Sequence, residues 1–187
     1  YNMLSTDALS DQADLLMLYI FDERGILTAT QSSGGMPLGS DYHMTLNDLP
    51  AGNYHFVAWA RSNRSNTEDG GFDVPNPAIG SLSLRDMNYY LKRSGGIQQR
   101  ELENLLVGVT EVKVDGGRHT QNVMVSLKKV NKKFRIVLLP YTNETTLDIN
   151  DYDISITDQT GNGCIRYDYS LLPDEAITYR PYYADNV

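Results

Sequence analysis

Two stretches of the chain are apolar on both of their alternating sets of positions. Residues 15–21, LLMLYIF, are followed by DERG, whose Asp in first and Gly in fourth place are typical of a type I turn, and then by the apolar and Thr-rich ILTAT. A strand that is covered on both faces has this pattern, and so has a buried helix. The turn signal favours a hairpin.

A second covered strand follows the tight turn LPAG. Pro50 presets φ for the second turn position and Gly52 suits the end of the turn. In the next run, residues 54–59, the aromatic and β-branched side chains again occupy both alternating sets. This run contains Trp59, the chain's only tryptophan, which we interpret as a core residue. Just before the turn, residues 42–46 alternate and predict a strand with one buried face.

The middle of the chain is less regular. Residues 61–78 are rich in Ser, Asn, Gly, Asp and Pro, which predicts a long loop. Residues 81–91 fit either a strand or a helix. Residues 98–106, QQRELENLL, are the best helix candidate, and the predicted helix is short.

Strand patterns return after residue 106. They predict strands at 107–114, 122–130, 133–139, 152–158, 164–169 and 176–183. The segment 152–163 has the same layout as 18–25, a strand that runs into an Asp-containing turn ending in Gly. We therefore predict two domains: residues 1–131, a complete β-sandwich, and residues 132–187, the start of a second β-sandwich. Many short strands with Gly and Pro turns indicate a mostly β antiparallel sandwich.

The second predicted domain lacks partners for its apolar residues within the sequence. Its alternating positions require a covered core, but 56 residues are about half of the ~100 that a sandwich domain takes. Two explanations remain open: the remaining strands belong to a longer protein, or another chain supplies them by strand addition. The apolar positions concerned are Phe134, Ile136, Leu138, Ile154, Ile156 and Ile165.

Composition excludes some classes of protein. The 187 residues carry a formal net charge of −8, which argues against general binding to nucleic acid. Hydrophobic residues make up 41% of the chain, enough for a core. Cys164 is the only cysteine, so an internal disulfide and a cysteine zinc site are excluded. No apolar run approaches the ~18 residues of a membrane helix.

Candidate ligating residues do not form a recognisable site. His43 and His55 lie on neighbouring predicted strands and could face each other as a metal pair or as ordinary neighbours, but no third ligand has a suitable spacing. Asp148, Asp151 and Asp153 lack the Gly and the closing Glu of an EF-hand calcium loop, which favours a turn before a strand. We predict no metal site and no cofactor.

The remaining candidates also have simpler interpretations. Cys164 has no His near it in sequence, so we interpret it as a small strand residue. NRS at 63–65 and NET at 143–145 fit the glycosylation sequon by chance alone. We predict no catalytic residue. A cluster of basic residues fits either an anion-binding surface or a solvated junction between strands; it contains Lys128, Lys129, Lys132, Lys133 and Arg135.

The sequence contains, in order, ADLLMLYIFDERG, YHMTLNDLPAGNYHFVAWA, LLVGVTEVKV, VMVSLKKVNKKFRIVLL, and YDISITDQTGNG followed by ITYRPYY. Together, these motifs resemble the fimbrillin-associated anchor and minor subunit family of Bacteroidales type V fimbriae. The resemblance implies two transthyretin-like β-sandwich domains in a non-enzymatic lipoprotein of the outer membrane. It also implies that other fimbrial subunits are the partners and that the protein anchors or terminates the fimbrium. The lipid-bearing N-terminal cysteine of such proteins is absent from these residues.

Three functions remain open at this point. The first is a fimbrial anchor or accessory subunit at the cell surface. The second is a carbohydrate-binding β-sandwich module of a surface lipoprotein, which exposed aromatic side chains would favour; the loop at 61–78 contains only Phe72. The third is a hydrolase, which would need a pocket with perturbed acids.

Overall fold

The computed structural model describes residues 9–34, 38–39, 41–62, 71–117, 119–141 and 147–182. Within these ranges the chain forms one short helix, α1 (Leu9–Gln12), and short 3-10 helices at Leu84–Asp86 and Ile149–Asp151. The strands are β1 (Leu15–Asp22), β2 (Leu27–Gly34), β3 (Gly52–Arg61), β4 (Phe72–Asp73), β5 (Asn88–Leu91), β6 (Ile97–Gln98), β7 (Leu105–Val114), β8 (Lys128–Lys129), β9 (Ile156–Asp158), β10 (Cys164–Arg166) and β11 (Ile177–Tyr179).

A five-stranded antiparallel sheet forms the centre of the structure, in the order β2-β1-β3-β7-β8. The predicted hairpin is confirmed as β1 and β2. At its turn Gly25 has φ 75°, a left-handed conformation that glycine adopts without steric cost. Asp22 stabilises the same turn, because its Oδ1 accepts hydrogen bonds from the backbone N–H groups of Arg24 and Ile26.

Both faces of the central strands are buried, as the sequence predicted. On one face Leu18 of β1 and Phe56 of β3 belong to a first core cluster. On the other face Tyr19, Val57 and Trp59 belong to a second core cluster. Because successive side chains of a strand point to opposite faces, one strand contributes to both clusters. The mostly β fold with antiparallel sheets is therefore confirmed.

Two predicted strands are wrong in their pairing, and their predicted burial is right only in part, because Val123, on the same alternating set as Val125 and Leu127, is 42% exposed. Residues 42–46 form no strand, and of 122–130 only Lys128 and Lys129 are paired. Their apolar side chains nevertheless pack on the first core cluster. Each segment lies against the face of the sheet through its apolar side chains. It is not a strand, because a strand also requires backbone hydrogen bonds to a neighbouring strand. The side chains concerned are Tyr42, Met44, Leu46, Val125 and Leu127.

The helix predicted at 98–106 is wrong. Gln98 belongs to β6, which pairs in parallel with β11, and Leu105 and Leu106 begin β7, which pairs with β3. Helix propensity is a weak preference, and tertiary contacts override it here. The ambiguous stretch at 81–91 contains a 3-10 helix followed by β5.

Two small sheets join the end of the described chain to its middle. One has the order β10-β5-β4 and the other β6-β11-β9. Next to them Arg93 donates two hydrogen bonds of 2.7 Å to the two carboxylate oxygens of Asp174. Both side chains are less than one-fifth exposed, so this pair is well shielded from water. The predicted strands at 152–158, 164–169 and 176–183 are each reduced to three residues.

Residues 132–141 behave differently from the rest of the apolar sequence. The strand predicted at 133–139 is wrong, because no described residue of this segment is assigned to a strand. Phe134 and Leu139 are 78% and 79% exposed, and Tyr141 is fully exposed. Ile156 of β9 is also exposed. These side chains keep about half or more of their surface exposed, whereas Ile165, which was also expected to lack cover, is buried beside β5.

Candidate interaction surfaces

The histidines do not form a metal site in the described part of the chain. Segment 41–49 lies on the first face of the sheet, whereas His55 belongs to the alternating set of β3 that points to the second face. His43 and His55 therefore do not face each other. His55 Nδ1 lies 3.8 Å from Glu111 Oε1, and His43 Nδ1 lies 3.2 Å from the Asp41 carbonyl oxygen. No group of three or more His, Cys, Asp or Glu residues among those described could hold a metal ion.

Asp148 caps a turn. Its Oδ1 accepts a hydrogen bond of 2.9 Å from the backbone N–H of Asn150, at the start of the second 3-10 helix. The carboxylate therefore satisfies a backbone donor that a helix start leaves free. Asp153 lies 3.7 Å from an Arg180 nitrogen. This arrangement agrees with the turn interpretation of the acidic stretch at 148–153.

Part of the basic cluster makes internal contacts. Lys128 Nζ lies 4.8 Å from the centre of the Tyr169 ring, a cation–π contact. Lys133 Nζ lies 2.6 Å from Glu101 Oε1. Burial, and then the nearby charge of Lys133, lower the pKa of Lys129. These three cations are thus involved in local structure, which favours the junction over a dedicated anion-binding surface.

Cys164 and Trp59 are both core residues. Cys164 is buried on β10 opposite Tyr90, and burial raises the pKa of its thiol, which makes it a poor nucleophile. Trp59 is 7% exposed and stacks on Tyr89, with 5.9 Å between the ring centres. The two sequons, at 63–65 and 143–145, lie outside the described residues.

The exposed residues 132–141, hereafter the apolar segment, are fixed at their start. Asn131 Oδ1 accepts a hydrogen bond from the Leu105 N–H, and Asn131 Nδ2 donates one to the Glu103 carbonyl. The ion pair between Lys133 and Glu101 adds a further contact. These bonds connect the segment to the first residue of β7. The apolar segment is therefore attached to the central sheet at one end and exposed along its length. Such an exposed apolar surface is a candidate site for another polypeptide.

A second candidate is a groove of about 490 Å³ at the opposite edge of the sheet, where β2 meets the loop before β3. Its lining includes the apolar side chains of Leu46, Leu49 and Tyr54 and several polar side chains from 28–31 and 47–48. Sequence reasoning missed this groove. Asn47 and Asp48 stand next to the LPAG turn, but their position over β2 depends on the packing of the loop.

Two of these features, the apolar segment and the groove, are surfaces at which another molecule could bind. The described part presents two packed faces around one sheet, an exposed apolar segment and a shallow groove. Solved structures that resemble it include proteins whose descriptions name binding or adhesion. One is described as "putative polysaccharide binding proteins" from Bacteroides thetaiotaomicron, with 32% identity and a TM-score of 0.77. Another is described as "a putative adhesin" from Bacteroides ovatus, with 25% identity and a TM-score of 0.82.

The family is shown by a match over the whole chain. The family model described as "Fimbrillin-A associated anchor proteins Mfa1 and Mfa2" matches residues 1–187, and the chain belongs to this family. The fimbrial anchor protein Mfa2 from Porphyromonas gingivalis shares the fold, with a TM-score of 0.59 and 18% identity. Members of such a family are associated with the cell surface, and the resemblance read from the sequence is thereby confirmed.

The chain is shorter than the proteins that it resembles. The matches to the B. thetaiotaomicron and B. ovatus structures include 98% of this chain. They include only 62% and 60% of the chains in those two structures. For the P. gingivalis anchor the two shares are 89% and 58%. No curated protein matches the sequence. Among the helices described here, none has the length and apolar character needed to cross a bilayer.

Proposed function

We propose that this chain is part of a non-enzymatic fimbrial anchor or accessory subunit, which attaches or terminates a fimbrium at the outer membrane through β-strand contacts with other subunits. The apolar segment is the observation that carries this proposal. Its side chains alternate as in a strand, and its described backbone has no strand partner. Strand addition supplies both the missing backbone hydrogen bonds and the missing apolar cover.

The division into two domains remains a proposal as well. Residues 1–131 contain the central sheet with both core clusters, and residues 132–187 begin with the apolar segment. The pairing of β10 with β5 connects the two parts. The lipid attachment to the outer membrane is likewise proposed from the family alone.

The partner contact can be tested with matched substitutions at exposed apolar residues. Phe134→Asp places a charge in the apolar segment, where a docking strand would have to bury it. Ile79→Asp is the control, because Ile79 is 63% exposed and lies outside this segment. Purified fimbrial subunits of the source organism should be retained by the parent and by the Ile79 variant, and should be lost with Phe134→Asp. Equal retention by both variants would contradict the proposed contact.

A cellular experiment tests the role in anchoring. In cells that produce only the Phe134→Asp variant, fimbriae should be released into the medium or become abnormally long, as seen by electron microscopy. The same cells with Ile79→Asp should keep attached fimbriae of normal length. Normal fimbriae in both strains would argue against an anchoring or terminating role for this surface.

A second candidate function is carbohydrate binding. The neighbour from B. thetaiotaomicron is described as polysaccharide-binding, and the groove beside β2 combines polar and apolar lining. This function does not exclude the first, since an accessory subunit exposed on the cell surface can carry a ligand site on a different edge. Binding to a panel of immobilised glycans would test it.

A further inference from the structure

We propose that the groove beside β2 binds a neutral sugar unit, with Asp48 and Asn47 accepting and donating hydrogen bonds to its hydroxyl groups. This inference rests on the second candidate function and assigns it a site. The groove has a volume of about 490 Å³, within the range of small-molecule sites. It lies at the far edge of the sheet from β8 and the apolar segment that follows it, so sugar and subunit could bind at the same time.

The lining offers hydrogen-bonding groups that the described protein does not use. The side chains of Asn47 and Asp48 make no hydrogen bond to any described residue. Gln31 donates its Nε2 to the Thr45 carbonyl, and its amide oxygen has no partner in the described ranges. A carboxylate and two amides together offer both acceptors and donors. Sugar hydroxyls, which donate and accept at once, match such a set.

The apolar part of the lining suits the other face of a sugar ring. Leu46, Leu49 and Pro50 line the groove together with Ile20 and the Tyr54 ring. A pyranose presents C–H groups that can lie against such a surface and exclude water from it. A purely polar ligand would gain nothing from these side chains. The combination therefore favours a sugar over an inorganic ion.

The groove is held in shape before a ligand binds. The Tyr54 hydroxyl donates a hydrogen bond of 3.0 Å to the Pro50 carbonyl, which fixes the end of the loop to β3. The Gln31 bond of 3.2 Å to Thr45 fixes the loop to β2. Binding therefore orders few groups, which keeps its entropic cost low.

Charge restricts the ligand to neutral sugars. Asp48 is the only charged side chain in the lining, and the whole chain carries a net charge of −8. Sialic or uronic acid carboxylates would be repelled by Asp48 and find no Lys or Arg partner in the groove. A neutral hexose meets no such repulsion.

The test is NMR titration of the ¹⁵N-labelled chain with neutral sugars, namely mannose, galactose and N-acetylglucosamine, into the millimolar range. At least one of them should shift the amide signals of residues 28–31 and 46–49 and leave the rest of the sheet unchanged. Glucuronate, the anionic comparison, should produce no shifts there. Asp48→Asn should weaken the binding roughly tenfold, since the acceptor of the hydrogen bond loses its charge.

The Asp48 variant keeps the backbone geometry. Asp48 has φ 59°, and Asn tolerates this left-handed conformation well. Asp41→Asn is the matched control: it is the same substitution in the same segment, outside the groove lining, and should leave binding unchanged. Unchanged amide signals elsewhere would show that both variants are folded.

The outcomes separate the site from the function. Shifts that lie on another surface would overturn the groove assignment and leave carbohydrate binding standing. The absence of shifts with every neutral sugar would overturn both. Equal weakening by Asp48→Asn and Asp41→Asn would overturn the role of Asp48. Retention of fimbrial subunits by the Asp48 variant is expected in every case, because the apolar segment is unchanged.

Discussion

The strand β3 (Gly52–Arg61) and the apolar segment have similar alternation of apolar residues, but β3 is buried and the apolar segment is exposed. In β3 one alternating set of side chains belongs to the first core cluster and the other to the second, and the strand is paired on both sides, with β1 and β7. In the apolar segment Phe134, Ile136 and Leu138 also alternate. The side chains of the apolar segment are exposed, and none of its residues pairs with a strand in the described structure. A strand pattern thus predicts that apolar side chains will be buried, but whether they are buried depends on the tertiary structure.

Hydrogen exchange should show the largest difference between the two regions. Amides of 53–60 should exchange only by global unfolding, which typically requires about 5–15 kcal/mol. Amides of 133–139 should exchange with little protection, because their described backbone is unpaired. Equal protection in the isolated chain would mean that the segment is already covered, and the proposed docking surface would be wrong.

Truncation of one aromatic residue in each region should give very different losses of stability. Trp59→Ala should cost about 3–5 kcal/mol, because it leaves a cavity beside Tyr89 in the second core cluster. Phe134→Ala should cost less than about 0.5 kcal/mol, as expected for an exposed side chain. Denaturant unfolding measures both. A Trp59 variant within about 1 kcal/mol of the parent would contradict the core assignment.

The connection between the end of the described chain and its middle should depend on Arg93 and Asp174. Asp174→Asn removes the charge from a pair of two short hydrogen bonds and should cost about 1–3 kcal/mol. A double-mutant cycle with Arg93→Met measures their coupling, because it subtracts the separate cost of each single substitution. A coupling free energy near zero would show that the strand pairing of β10 and β11 suffices without the ion pair.

The hairpin turn should contribute a smaller effect that depends on pH. The backbone N–H of Ile26, followed by Arg24, lowers the pKa of Asp22 below its usual range. A carboxyl with a lowered folded-state pKa stabilises the fold above its unfolded pKa of about 3.9, and this contribution is lost as the pH falls through the folded value. The difference in stability between the parent and Asp22→Asn should therefore be present at pH 6 and shrink below pH 4. A difference that stays constant over this range would contradict the assignment.

The sequence was more informative about side-chain burial than about backbone pairing. Tyr42, Met44 and Leu46 are partly buried against the first core cluster, on the side that alternation predicts, although they form no strand. Burial follows from local periodicity, which is a property of the segment alone. Pairing depends on which other segment lies alongside, and for Gln98 the partner is β11, some eighty residues away. The helix predicted at 98–106 failed for this reason.

The candidate sites divide in the same way. We interpret Cys164 as a strand residue and Asp148 as a turn residue from residue type and spacing. The structure confirms both interpretations, since Cys164 lies in β10 and Asp148 caps a 3-10 helix. The groove beside β2 could not be predicted, because it combines residues 28–31 with residues 46–50 across the sheet edge. Its only local signal is the polar pair at Asn47 and Asp48.

By itself the sequence determined the class of fold, the hairpin of β1 and β2, the two-sided character of β1 and β3, and the resemblance to a fimbrial anchor family. These depend on periodicity of two, on turn residues and on motif order, which are all local or linear properties. Only the tertiary structure decided that β10 and β11 pair with β5 and β6, that His43 and His55 lie on different faces, and that the apolar segment stays uncovered. Each of these features depends on contacts between distant parts of the chain. The free energy of such contacts cannot be read from either segment alone.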